Sequence, residues 1–238
     1  MRRMITICAL ITAFSLYAAG SALSADRIQK AAAGPLPQER TYDFGFLGID
    51  FVVQHLYYLV NRTDRPLRIL GARPSCQCTS VLTLDSLVQP GDTAHFRVKL
   101  DTKDLYGPVN KSFTVETDHP DLDGIEYYLT SVVGQWVDGL KPHPVSLFFL
   151  PAHSSKELVI ANPRFAEIRL GRMEQHDDAF GVTVVSDRAE MGQALKLEIA
   201  PRSGLKPGTY NSNFTLTIEK KDYKKPTILT IPVKIVRY

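Results

Sequence analysis

The sequence predicts an all-β protein built as two tandem β-sandwich domains. Three observations carry that expectation. Apolar residues recur at every second position in short runs, turn formers separate the runs, and one segment of the pattern returns about 100 positions later, the length of one sandwich. Thr93–Asp101 shows the period most cleanly, with Ala94, Phe96, Val98 and Leu100 on one face and His95, Arg97 and Lys99 on the other. That is a half-buried strand. The preceding Gln89-Pro90-Gly91-Asp92 supplies a fixed φ and a permissive one for a tight turn.

Comparable runs occupy Gln54–Asn61, Leu67–Ala72, Val109–Thr117 and Ile125–Val133. The second half continues with Val145–Leu150, Glu157–Ala161, Ala166–Gly171, Gly181–Ser186, Ala194–Ile199, Tyr210–Glu219 and Thr227–Val236. No stretch sustains a helical period, and only Asp187–Gln193 reads as a helical turn. Gly107–Val115 aligns without gaps on Gly208–Leu216, so the halves are expected to be similar domains. Gly139, Pro142 and Pro144 interrupt the strands and set a linker at 138–144, between a first domain at 41–137 and a second at 145–238.

Antiparallel strands of this length bury one face, so two sheets must pack together. The expected inward residues are Leu56, Tyr58, Val60, Ile69, Phe96, Val98, Leu100, Phe113, Val115, Tyr127 and Leu129 in the first half. In the second they are Leu147, Val159, Ile168, Val184, Leu197, Phe214, Leu216 and Ile231.

Ahead of the strands, Met1-Arg2-Arg3-Met4 is followed by an apolar run to Ala19 and the small residues Gly20, Ser21 and Ala22. These are the parts of a secretory signal peptide, residues 1–24, with cleavage before Ala25. The apolar run is about 15 residues, short of the ~20 that span a bilayer. Cys8 lies inside it. Residues 25–40, centred on Ala31-Ala32-Ala33-Gly34-Pro35, read as a flexible lead. The expected location is periplasmic or extracellular, with no transmembrane segment after cleavage.

Charge excludes one class of partner. The 28 Lys and Arg are balanced by 25 Asp and Glu along the chain, so no basic stripe is available for nucleic acid. The dense run Glu219–Lys225 reads as a solvated hairpin loop.

Cys76 and Cys78 are the two cysteines beyond the signal segment. Three readings compete: a strained, redox-labile disulfide favoured by an oxidising compartment, a pair of structural thiols, and two soft ligands for Cu(I) or Zn²⁺. A thioredoxin-like site would show C-x-x-C before a helix, and that setting is absent. The histidines His55, His95, His119, His143, His153 and His176 have no metal-site spacing. Asp118, Asp121 and Asp123 are unevenly spaced for Ca²⁺, and no nucleophile elbow or phosphate loop occurs. Asn61-Arg62-Thr63, Asn110-Lys111-Ser112 and Asn213-Phe214-Thr215 are formal N-glycosylation acceptors. The expectation is no catalytic residue, no cofactor and no enzymatic activity.

Five segments carry a family resemblance: Asp43–Gly48, His55–Asn61, Leu67–Leu70, Ser75-Cys76-Gln77-Cys78-Thr79 and Gln89–Asp92. They resemble the bacterial family called domain of unknown function 1573, with its Phe-Gly start, His-apolar-Asn strand, Ser-Cys-Gly-Cys-Thr loop and Pro-Gly turn. The resemblance covers Thr41 to about Gly134; the second half is similar to the cysteine-free copy that members append. It implies immunoglobulin-like sandwiches, related to Hydin-type and major-sperm-protein-like domains, used for protein contacts. Gln77 stands where the family has Gly, a departure that bears on a loop expected to need positive φ. The resulting expectation is an exported binding or scaffolding module whose partner is another envelope or extracellular protein. The alternative is a thiol-redox or copper-handling accessory acting through Cys76 and Cys78.

Overall fold

A computed structural model describes residues 40–136, 138–175 and 177–238. The expected signal peptide, nearly all of the lead, and His176 lie outside the described residues.

Strands dominate both halves. The first contains β1 (Thr41–Leu47), β2 (Val52–Val60), β3 (Leu67–Pro74), β4 (Thr79–Thr83), β5 (Leu87–Val88), β6 (Thr93–Asp101), β7 (Gly107–Thr117) and β8 (Ile125–Val133), with a 3-10 turn at Pro120–Leu122. The second contains β9 (Pro142–His143), β10 (Leu147–Phe149), β11 (Lys156–Ala161), β12 (Glu167–Gln175), β13 (Phe180–Ser186), β14 (Arg188–Glu190), β15 (Ala194–Pro201), β16 (Gly208–Lys220) and β17 (Thr227–Arg237). Among the described residues, no helix is long and apolar enough to cross a membrane.

One sheet runs through both halves in the order β14-β12-β16-β17-β1-β8-β7-β3-β5, with β10 also on β17. Smaller sheets cover it: β2-β6-β4 in the first half and β13-β15-β11-β9 in the second. β1 makes the join. It lies parallel to β8, with Thr41–Asp43 beside Tyr128–Thr130, and it reaches β17 through the pair Phe46 and Leu229.

Gly45 allows that crossing. The β1 register shifts between Asp43 and Phe46, and Gly45 takes φ +63° there, its N–H donating to Asp43 Oδ1 at 2.9 Å. A Cβ at Gly45 would stand 2.1 Å from the Ile228 carbonyl oxygen. Farther along β17, Val233 pairs with Leu147 of β10. Pro232 falls in the gap between β1 and β10, where a missing N–H costs a central strand least.

Each half has its own hydrophobic core. In the first, Phe113 and Tyr127 stack at 5.0 Å and Tyr57 meets Phe113 edge-on at 5.1 Å. In the second, Phe180, Phe214, Leu197 and Ile231 are fully buried. At about 25 cal/mol per Å² of apolar area removed from water, each such side chain contributes roughly 1.5–3 kcal/mol.

The expected facing of several strands is corrected. In β2 the inward residues are Val53, Tyr57 and Leu59, whereas Leu56 and Val60 are half-buried and Tyr58 is exposed. The run Leu56–Val60 is apolar at both parities, so its period does not choose a face; packing of Tyr57 on Phe113 does. Leu158 and Ile160 replace Val159 for the same reason. Val184 is exposed because β13 bulges between Val184 and Ser186. Asp187–Gln193 is no helical turn: Arg188–Glu190 forms β14 against β12, which seats Ala189 in the core.

Trp136 and the segment Asp138–His143 pack with the second half. Leu140 is buried in its core, β9 pairs with β11, and Asp138 holds Lys220 at 2.7 Å.

Candidate functional site

The C-x-C loop closes the corner between β3 and β4. Phe113 pairs with Pro74 where β3 ends, and Ser75 then clamps Ser112 twice: its N–H donates to the Ser112 carbonyl and its Oγ accepts the Ser112 N–H. Cys76 and Cys78 are joined by a disulfide, with Cα atoms 5.3 Å apart. The Cys78 carbonyl accepts from Asp101 N at 2.8 Å, which sets the loop against β6. Gln77 projects to solvent with ordinary negative φ, so a side chain there brings no backbone strain.

Thr79 lies beneath the bridge. It is 3% exposed, and its Oγ1 is 3.4 Å from Cys76 Sγ and 3.9 Å from Cys78 Sγ. Cys78 also packs against the first core. Among the described residues no group of three His, Cys, Asp or Glu is assembled as for a metal ion.

Beside the bridge is a groove of about 370 Å³, lined by Gln77, Cys78, Lys99 and Asp101 from the first half and Asn211 from the second. Asn211 and Lys99 continue into a wider groove of about 520 Å³ walled by Arg97, Asp177 and Tyr210. Asn211 also borders an apolar cleft of about 410 Å³ formed by Phe51, Val52, Phe148 and Pro232. The three meet where the β2 edge crosses the outer face of β16.

That crossing is held by polar contacts. Tyr42 donates to Thr215 Oγ1 at 3.0 Å, Thr215 and Thr230 hydroxyls are 2.9 Å apart, and Thr230 donates to the Phe44 carbonyl at 2.6 Å. Each hydroxyl has one proton, so Thr215 must donate to Thr230. Gln54 N donates to Asn213 Oδ1 at 2.7 Å. His55 stacks on Tyr42 at 3.5 Å, and its Nδ1 is 3.7 Å from Glu174 Oε1. Burial pushes the Glu174 carboxyl above its ordinary range, with the nearby Arg172 opposing it. His55 thus lies on the inner side of β2, a placement the sequence reading missed along with the facing of that strand.

The other described histidines are dispersed. His95 Nδ1 is 2.9 Å from Asp85 Oδ2, and this hydrogen bond is the leading cause that lowers the Asp85 carboxyl. His119 caps the 3-10 turn, and His153 Nδ1 accepts from Leu150 N. Asp118 and Asp123 spend carboxylate oxygens on the Arg68 and Thr117 N–H groups. Of the glycosylation acceptors, Asn61 and Asn213 are fully buried and Asn110 is exposed.

Residues 37–127, which include the whole C-x-C corner, match the family described as "Protein of unknown function (DUF1573)". The matched segment, under half of the chain, is a DUF1573 segment. No curated protein matches it. Among solved structures it is similar to a protein of unknown function from Porphyromonas gingivalis W83, at 14% identity over 86% of this chain and 100% of that one, with a TM-score of 0.33. It is also similar to the CupB2 chaperone of Pseudomonas aeruginosa, at 11% identity over 82% and 97%, TM-score 0.29. The VesB protease of Vibrio cholerae shows 9% identity over 71% and 64%, TM-score 0.34.

Proposed function

We propose that this protein is an exported, non-enzymatic module that binds another envelope or extracellular protein. The observation that carries the reading is four exposed leucines at the terminal strands of the two sheets in the first half. Leu82 and Leu84 at the end of β4 are 56% and 44% exposed, and Leu70 and Leu87 on the β3–β5 pair are 60% and 51% exposed. Single exposed leucines are ordinary, but four at the strands that end both sheets of one half leave apolar side chains where a partner can dock. Export rests on residues 1–24, whose basic start, apolar run and small-residue end are those of a signal peptide.

The test is capture from the native envelope fraction by the chain starting at Ala25. Leu82→Lys with Leu87→Lys should abolish recovery of a partner that the wild-type chain retains, with the circular dichroism unchanged. Equal recovery by the leucine variant would overturn the assignment of these leucines.

A second reading, thiol-redox or copper chemistry at Cys76 and Cys78, is favoured by the Thr79 hydroxyl set 3.4 Å from Cys76 Sγ. A hydroxyl there is placed to stabilise a thiolate. Stoichiometric Cu(I) uptake after reduction, lost in Cys76→Ser/Cys78→Ser, would support it. Partner capture unchanged in that variant would support the first reading.

A further inference from the structure

We infer that β13 is a self-association edge, through which two copies of this chain join their four-stranded sheets into one antiparallel sheet. The inference goes beyond the partner-binding reading and concerns the other half. β13 is the terminal strand of the order β13-β15-β11-β9, so its outer side has no strand among the described residues.

The free backbone groups follow from the ladder. Arg202 N donates to the Ala179 carbonyl, so 179, 181 and 183 point toward β15 and the alternate residues point outward. The Phe180 carbonyl confirms the parity: it is taken on the outer side by Gln175 Nε2 at 2.8 Å. Val182 and Val184 are left with outward N–H and C=O groups.

The strand lacks the usual guards. Phe180–Ser186 reads Phe-Gly-Val-Thr-Val-Val-Ser, with no charge and no proline, and Val184 and Val185 are 41% and 59% exposed. Natural edges of this length ordinarily carry Lys, Pro or an inward charge against pairing. The bulge after Val184 ends the pairable run and confines it to the first five residues.

A second copy is the occupant that the sequence itself fits. A two-fold axis at Thr183 sets Val182 opposite Val184 of the other copy in both directions, which uses all four outward groups of the two residues, and it sets Thr183 against Thr183. The same axis brings the Ser186 end of one strand beside the Phe180 end of the other. Asp187 and Arg188 stand at the former end, Asp178 and Arg202 at the latter. Opposite charges therefore face each other twice. Arg202 is aimed outward over Gly181, with its guanidinium carbon 3.8 Å from where a Cβ would be. Arg188 Nε also lies 3.5 Å from Glu167. The equivalent edge in the first half, β4, has an aspartate at each end, Asp85 and Asp101, so the same two-fold pairing would set acid against acid.

Sedimentation velocity on the chain from Ala25, at concentrations up to about 500 µM, tests the inference. Wild type should show a monomer–dimer equilibrium. Val184→Pro removes one outward N–H without touching the β15 ladder, and should weaken dimerisation at least about tenfold while leaving the melting curve in place. Arg202→Asp should weaken it by a similar factor, and Arg202→Asp with Asp187→Arg should restore it. A monomer throughout the range, a dimer indifferent to Val184→Pro, or a charge swap that fails to restore it would each overturn the inference.

Discussion

Asn61 and Asn162 stand 101 positions apart and hold the same backbone groups in the two halves. Asn61 Nδ2 donates to the carbonyls of Arg65 at 2.9 Å and Val88 at 2.8 Å; Asn162 Nδ2 donates to those of Phe165 at 2.8 Å and Ala189 at 3.0 Å. The main-chain carbonyl of each accepts from a glycine of the turn before β6 or β15, Gly91 or Gly192, at 2.8 Å. Both side chains are buried. The pair pins that turn to the end of β2 or β11.

Asn61→Ala and Asn162→Ala should each therefore destabilise by about 2–3 kcal/mol, because buried carbonyls are left unpaired. Urea unfolding measures the loss. A cost below about 0.5 kcal/mol for either would contradict the pinning role.

Gly45→Ala should be more costly than an ordinary surface change. Alanine at positive φ is strained, and its Cβ would meet the Ile228 carbonyl, to which β1 comes close as it reaches β17. We expect a loss above about 2 kcal/mol, with amide exchange rising first in Phe46 and Leu229. Uniform exchange with unchanged stability would show that the shared sheet does not depend on this glycine.

Tyr57 and Tyr58 are neighbours with opposite fates. Tyr57 is 2% exposed and donates from its hydroxyl to the Tyr128 carbonyl at 2.7 Å, whereas Tyr58 is 37% exposed. Tyr57→Ala should cost about 3–5 kcal/mol and Tyr58→Ala under about 1 kcal/mol. Thermal unfolding of the two variants decides the facing of β2; equal losses would refute it.

The same pair shows what was legible in the sequence. Where polar and apolar residues alternate, as in Thr93–Asp101, both the strand and its inward face were readable. Leu56–Val60 offers an apolar residue at every position, so only contacts with Phe113 and Tyr127, distant in sequence, select the face. β1 was also invisible to periodicity: its crossing to β17 depends on Gly45 and Ile228, which no local pattern connects. At the candidate site the C-x-C spacing marked the loop. The groove beside it was unreadable because Lys99 and Asn211 come from opposite halves.

Asp138 carries a pH dependence whose sign can be worked out. Burial alone would raise its carboxyl, but the hydrogen bonds from Lys220 and Thr227 and the charges of Lys220 and Arg164 outweigh it and hold the group below its ordinary range. A carboxyl depressed in the folded state contributes stability that is present above the ordinary carboxylate range and is lost as pH falls through the folded value. Lys220 makes the contact consequential, since its side chain is only 7% exposed and lies over the Phe165 ring at 5.4 Å. Asp138→Asn should therefore flatten the acid side of the stability profile, and Asp138→Ala should cost about 3 kcal/mol at neutral pH by stranding a buried cation. Lys220→Met in the Asp138→Ala background should recover part of that loss. Denaturant midpoints measured from neutral pH down into the acid range provide the check: an acid slope identical in wild type and Asp138→Asn would remove Asp138 as its source.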